Sequence, residues 1–301
     1  VLTRRGLLAL GAAGGVAVLA GGAGALDAVN EGWLPGRVRL GRVLGECNVD
    51  TAPPAVATPV RSGAFPSALR GRQVRWGLAV PDGAAATGLP VAVVLHGYGG
   101  TWRSAWTDLG LHHFLAAHVA AGGRPYALAS VDGGNGYWHP RASGDDPLGM
   151  VVHELVPRLA AMGLATAQIG AMGWSMGGYG ALLLARQSAR GQAGSARVRV
   201  AAVSSPALFA SAAATAPGAF DSAADWAAWG DLVAHPGVGR DTALSVSCGD
   251  YDAFTATTQA YRAAVSPTPD GGIGRGCHTN GYWRTQAGAQ VAFLGEHLTA
   301  A

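Results

Sequence analysis

The chain has 301 residues, of which 49% are apolar and 13% charged. That is about half the usual charged share and excludes a disordered tail or a coiled coil. The formal net charge is only +3, and all 21 basic residues are Arg. With no lysine, Schiff-base, phosphate-loop-lysine and Ser-x-x-Lys chemistries are excluded.

In chain order, Thr3-Arg4-Arg5-Gly6-Leu7-Leu8 opens onto a Gly/Ala/Leu/Val run that ends at Ala23-Gly24-Ala25. Paired arginines before a mildly apolar run and a small-residue cleavage pattern read as a twin-arginine-type export signal over 1–25. Left uncleaved, that run would be a membrane anchor. Residues 26–72 lack strong periodicity, are punctuated by Pro53, Pro54, Pro59 and Pro66, and read as a lead-in. The spaced arginines Arg37, Arg39 and Arg42, then Arg70, Arg72 and Arg75, read as solvated strand edges, and no nucleic-acid partner is implied.

The catalytic-domain pattern runs over 73–301. Val74, Trp76, Leu78 and Val80 alternate with smaller or polar residues, which predicts a half-buried strand. Val91 to Leu95 is a continuous apolar run and predicts a fully buried one. Further strands are predicted at Ala127 to Val131, Ile169 to Gly173, Val200 to Ser204 and Leu244 to Cys248. Helices are predicted near 105–121, 149–162, 177–190, 255–265 and 284–298. Such alternation predicts an α/β fold, a mostly parallel central sheet with helices on both faces, whose ligands meet the carboxyl ends of the strands. The stretch from Ser205 to Thr242 carries no strand, and a small lid and a long crossover helix both fit it.

Gly173-Trp174-Ser175-Met176-Gly177 lies between a predicted strand and a predicted helix, the context of a nucleophile elbow. The flanking glycines make room for a sharp turn that presents the Ser175 hydroxyl. A serine hydroxyl is a poor nucleophile without a base. Of the nine histidines, only His278 and His297 follow both Ser175 and the strand-end acids Asp250 and Asp252. His297 falls in the last helix, whereas His278 falls in the turn-rich Gly276-Cys277-His278-Thr279-Asn280-Gly281, so His278 is the predicted base. Asp250 and Asp252 both follow the buried run Leu244 to Cys248, and spacing leaves them open as the acid. Asp270 sits in a Pro-Asp-Gly turn. His96-Gly97-Tyr98-Gly99-Gly100 follows the buried strand Val91 to Leu95. It predicts an oxyanion hole built from the Tyr98 and Met176 amides, with His96 bracing the loop.

Other residues read more plainly. His112, His113 and His118 are spaced as surface histidines, His153-Glu154 lacks a zinc-protease partner, and Asp145-Asp146 reads as a helix cap before Pro147. Asp132, Tyr137, Trp138 and His139 fit either a pocket wall or a self-packed loop, and Trp283 reads as core. Among the three cysteines, Cys248 with Cys277, Cys47 with Cys277 and three buried thiols all stay open.

With those motifs in this order, Val74 to Leu298 resembles the esterase family of α/β-hydrolases that includes esterase D, feruloyl esterases and mycolyltransferases. The resemblance rests on His-Gly-Tyr-Gly-Gly, Gly-Trp-Ser-Met-Gly-Gly-Tyr-Gly and Gly-Cys-His-x-x-x-Tyr-Trp-Arg. It implies an α/β-hydrolase fold and carboxylic-ester hydrolysis through an acyl-enzyme on Ser175, with no cofactor or metal and a small-molecule or cell-envelope ester as substrate. An acyltransferase passing the acyl group to an alcohol through the same triad is the alternative. The family's acid occupies Gly-x-x-Asp-x-Phe, which places Asp252 in that role within Gly249-Asp250-Tyr251-Asp252-Ala253-Phe254. Its first oxyanion donor maps to Tyr98. The sequence departs from the family at Gly271 to Gly276, where glycines stand in place of a last strand, and the sugar and acyl-chain residues of the mycolyltransferases are not recognisable.

Overall fold

The computed structural model describes residues 29, 36–194 and 196–298. The export segment at 1–25 lies outside them. Among the described residues no helix is long and apolar enough to cross a membrane.

Among the described residues eight strands form the sheet: β1 (Val60–Ser67), β2 (Arg72–Ala79), β3 (Pro90–Leu95), β4 (Ala127–Val131), β5 (Ala165–Trp174), β6 (Arg197–Ser204), β7 (Ala243–Gly249) and β8 (Ile273–Gly274). Their spatial order is β1-β2-β4-β3-β5-β6-β7-β8. β2 runs antiparallel to β1 and β4, and the other pairings are parallel. The alternation seen from Val74 to Val80 is thus an antiparallel strand near the edge. β3 and β4 are buried along their whole length, as continuous apolar runs require.

Two features correct the sequence reading. The sheet begins inside the segment read as a lead-in, because β1 pairs with β2 from Val60–Ala79 to Ser67–Arg72. Gly63 and Pro66 interrupt its pattern, as an edge strand allows and a central one does not. The last strand exists too, reduced to two residues, with Cys248 opposite Ile273 and a further bridge between Ser245 and Asp270. Gly271, at φ 82°, turns the chain between them and would set a Cβ 2.6 Å from the Ser247 Oγ, so glycine is required there.

Among the described residues six helices of eight residues or more pack around the sheet. They are α1 (Arg37–Leu44), α2 (Leu111–Ala120), α3 (147–161, with a π turn at Val151–Leu155), α4 (Met176–Ala189), α5 (Thr255–Ala264) and α6 (Asn280–His297). α3 and α4 pack one face with Leu155, Leu159, Leu182 and Leu183. α2 and α6 pack the other with Phe114, Leu115, Val291 and Leu294. Asp146 caps α3 by accepting the Gly149 N–H at 2.7 Å, the job read for it in the sequence. α6 starts four residues before the sequence reading had it, because the Thr279 hydroxyl caps it on the Tyr282 N–H at 3.2 Å.

The stretch from Ser205 to Thr242 holds short turns rather than a long crossover helix. It lies across α4, which is buried from Met176 to Gln187. Arg186 of that helix, 1% exposed, donates to the carbonyls of Ala228 and Trp229 at 3.1 and 2.8 Å, and the Tyr179 hydroxyl donates to Trp229 at 3.0 Å. At the other end Arg141 holds Ala219, Gly218 and Asp221 at 2.6–3.1 Å. A charge buried on bare carbonyls satisfies a segment that has little secondary structure of its own.

Candidate active site

The sheet register brings the site together at one edge. Leu95 of β3 lies opposite Gly173 of β5, Trp174 opposite Ser204, and Ser204 opposite Ser247 of β7. β3 connects outward to β4, and β5 leads the other way to β6, so the crevice between the loops after β3 and β5 is a topological switch point. The His96 to Gly100 loop and Ser175 occupy that crevice.

Ser175 sits at φ 55°, ψ −125°, a conformation that costs a non-glycine residue about 1–3 kcal/mol. The glycines on either side explain how it is held. A Cβ on Gly177 would lie 1.9 Å from the Leu95 carbonyl oxygen, and one on Gly173 2.2 Å from that of Gly177. Only bare backbone lets the start of α4 come this close to β3 and β5. The Ser175 N–H donates to Ser204 and its carbonyl accepts from Tyr179 and Ala207, all within 3.0 Å, so the turn is anchored at both ends.

The Ser175 hydroxyl lies 2.8 Å from His278 Nε2, and His278 Nδ1 lies 2.8 Å from Asp252 Oδ2. The Nδ1–H donates to the carboxylate, which leaves Nε2 to accept from the serine. The other oxygen of Asp252 accepts the Phe254 N–H at 2.9 Å. Asp252 is shut off from solvent, while the His278 side chain stays 30% exposed, open to a substrate. Asp250 faces elsewhere. It accepts the Gly276 N–H at 3.0 Å and so fastens the loop that carries the histidine. The chain around Asp250 also donates from Asp250 and Tyr251 to Gly274 and Gly276, at 2.8 and 2.9 Å.

Of the predicted oxyanion donors, Met176 directly follows the serine and Tyr98 directly follows Gly97. Gly97 stands against the serine, where a Cβ would come 3.4 Å from that of Ser175. Gly99 donates to Asn135 Oδ1 at 2.8 Å, which stiffens the loop. His96 braces it from below and is fully buried. Gly133 N–H donates to its Nε2 at 3.0 Å, so the proton is on Nδ1, 2.7 Å from the Gly97 carbonyl. Burial holds the His96 pKa below its usual 6.5, outweighing the Gly97 hydrogen bond and the Asp132 charge. A histidine neutral in the fold but protonated in the unfolded chain makes stability fall as pH drops below about 6.5, by up to about 1.4 kcal/mol per pH unit. Denaturant midpoints at pH 7.5, 6.5 and 5.5 should therefore decline less steeply in His96→Asn than in the parent. Equal slopes would remove His96 from the account.

The sequence reading sets no aromatic ring against the base. Phe254 and Trp283 flank the His278 ring at centroid distances of 5.4 and 5.0 Å. Phe254 then meets Phe209, and Phe209 meets Tyr137, which leads to Tyr98 at the crevice mouth. Tyr137 is thus part of a wall that runs from the base to the oxyanion loop. Asp132 accepts the Trp102 N–H and His139 packs on Phe220, so both serve the loop rather than the crevice. Phe254 was visible in Gly-x-x-Asp-x-Phe, but only the folded chain shows what it touches.

The cysteines resolve as Cys47–Cys277, with Cys248 free and buried. The Cys248 thiol is pushed up to about 12, mainly by burial and then by the charge of Asp252. It stays protonated and offers no competing nucleophile.

No family model and no curated protein matches the chain. Solved structures do. A ferulic acid esterase superposes with a TM-score of 0.67 at 16% identity, over 80% of this chain and 99% of that one. The S-formylglutathione hydrolase from Agrobacterium tumefaciens gives 0.66 at 16%, over 83% and 98%. This is an α/β-hydrolase fold. MPT51 of Mycobacterium tuberculosis shares the fold at 18% identity, with a TM-score of 0.61 over 81% of this chain and all of the other. The first of them, a ferulic acid esterase, is of a kind that the sequence motifs resemble.

Proposed function

We propose that this α/β-hydrolase-fold chain is a serine hydrolase that cleaves carboxylic esters through an acyl-enzyme on Ser175. The observation that carries the reading is the unbroken chain of hydrogen bonds from Ser175 through His278 to Asp252, 2.8 Å at each step, with the serine on a strained turn.

In this mechanism Ser175 Oγ attacks the ester carbonyl as its proton passes to His278 Nε2. Asp252 holds the ring and stabilises the imidazolium, and the Tyr98 and Met176 amides receive the oxyanion. Removing one such donor costs about 3 kcal/mol of transition-state stabilisation. The intermediate then collapses, the C–O bond breaks, and the alcohol leaves with the proton from Nε2. Water repeats the sequence on the acyl-enzyme and frees the acid. A ferulic acid esterase and an S-formylglutathione hydrolase are among the structural neighbours, which supports the reading. A fluorophosphonate probe should label the protein once, on Ser175, and a nitrophenyl ester should protect against it. Failure to label would leave the fold without this chemistry.

Export through the paired arginines belongs to the same proposal. It is supported by the Cys47–Cys277 disulfide, a bond that persists in oxidising compartments.

A further inference from the structure

We propose that residues 36–58 are a positioning brace for the catalytic acid and base, released by reduction of Cys47–Cys277. The inference rests on the hydrolase reading above and concerns how the same site is held and switched.

The brace touches both loops of the triad. Over the acid loop, Gly41 of α1 lies on the Tyr251 ring so closely that a Cβ would come within 2.6 Å of it. The Arg37 guanidinium sits 5.2 Å from that ring's centroid. Tyr251 stands between Asp250 and Asp252. Over the base loop the hold is tighter. Arg275 pairs with Glu46 at 2.6 Å, and Cys277, the residue before His278, is bonded to Cys47 across 230 residues of sequence. Val49 presses its carbonyl against Gly281, where a Cβ would be 2.3 Å away. Asp50 then takes a two-pronged pair from Arg284, at 2.7 and 2.5 Å. His278 is thus fastened at positions 275, 277, 281 and 284 by one strip of chain.

Beyond this strip the base loop is held by the hydrogen bonds of Asp250 and Tyr251 to Gly274 and Gly276, with little regular structure behind them. β8 contributes two residues to the sheet, and the segment around it is rich in glycine. The ion pairs at Glu46 and Asp50 are solvent-exposed, and such pairs contribute little by themselves. The disulfide is the one covalent link among these contacts. Cys277 is buried, whereas Cys47 is half-buried and offers the sulfur that an external thiolate can reach. A dithiol attacks it, forms a mixed disulfide, and closes on itself. The S–S bond gains two electrons and two protons to become the Cys47 and Cys277 thiols, and the dithiol is oxidised to its cyclic disulfide. With the link open, His278 can drift from Ser175 and Asp252, and misplacement by about 1 Å costs about 100-fold.

The experiment treats the folded full chain with dithiothreitol at 25 °C and follows thiol count, near-ultraviolet circular dichroism and nitrophenyl-ester kinetics together. Two thiols should appear, kcat should fall about 10–100-fold with KM within about twofold, and reoxidation should restore it. Cys47→Ser should reproduce these changes and no longer respond to dithiothreitol. If reduction or Cys47→Ser lowers the melting temperature but leaves kcat in place, the disulfide is only a staple and the proposal falls. It falls equally if activity and the near-ultraviolet signal vanish together. An oxidised enzyme that turns over no ester and takes no fluorophosphonate label overturns the hydrolase reading instead, before any reductant is added.

Discussion

Ser175→Ala is expected to lower kcat for a short-chain nitrophenyl ester by about 10⁵-fold or more, since nucleophile and base act as one unit. The fold should survive, because among the described residues the only hydrogen bond of the Ser175 hydroxyl is to His278. The turn conformation supplies a second, independent result. At φ 55° any side chain is strained, so Ser175→Gly should relieve about 1–3 kcal/mol that Ser175→Ala retains. Both variants should be inactive, with the glycine variant melting at the higher temperature. Kinetics on the two proteins and their thermal midpoints check both claims. Turnover within tenfold of the parent in either variant would show that another group attacks the ester. A glycine variant no more stable than the alanine one would mean that the elbow is not strained.

Asp252→Asn should lower kcat by about 10⁴-fold with little change in KM. The reason lies in the two ends of the carboxylate. One oxygen accepts the Phe254 N–H and the other the His278 Nδ1–H, at 2.9 and 2.8 Å. An asparagine keeps its carbonyl on Phe254 and turns its NH₂ to His278, which forces the ring proton onto Nε2. That nitrogen then meets Ser175 as a donor and cannot take its proton. Asp250→Asn should cost less than about tenfold, because Asp250 serves the backbone at Gly276 and not the imidazole. Steady-state kinetics on the pair decide between the two acids that spacing alone left open. A larger loss in Asp250→Asn than in Asp252→Asn would reverse their roles.

Much of the frame is local in origin and could be read from the chain. β3 and β4 announce themselves as unbroken apolar runs because both faces are covered. The elbow is legible because glycine at 173 and 177 answers a steric demand that no other residue meets. β1 escaped notice for the converse reason. An edge strand tolerates Gly63 and Pro66, and half its residues face solvent, so its pairing with β2 leaves little trace in the order of residues. β8 escaped because two residues opposite the end of β7 make a strand only in the presence of that neighbour.

The sequence by itself determined the alternation of strands and helices, the strained serine between two glycines and the three side chains of the triad, because each is encoded in short-range pattern or in the steric limits of a turn. Asp252 over Asp250 also came from the sequence, through the motif it shares with a family. Which cysteine closes on Cys277, what the arm at 36–58 holds, and which aromatic rings wall the crevice were decided only in three dimensions. Those choices depend on the register that sets Leu95 beside Gly173 and Cys248 beside Ile273. They also depend on distances across 230 residues of chain, and contacts of that range leave no periodic signal for a single sequence to display.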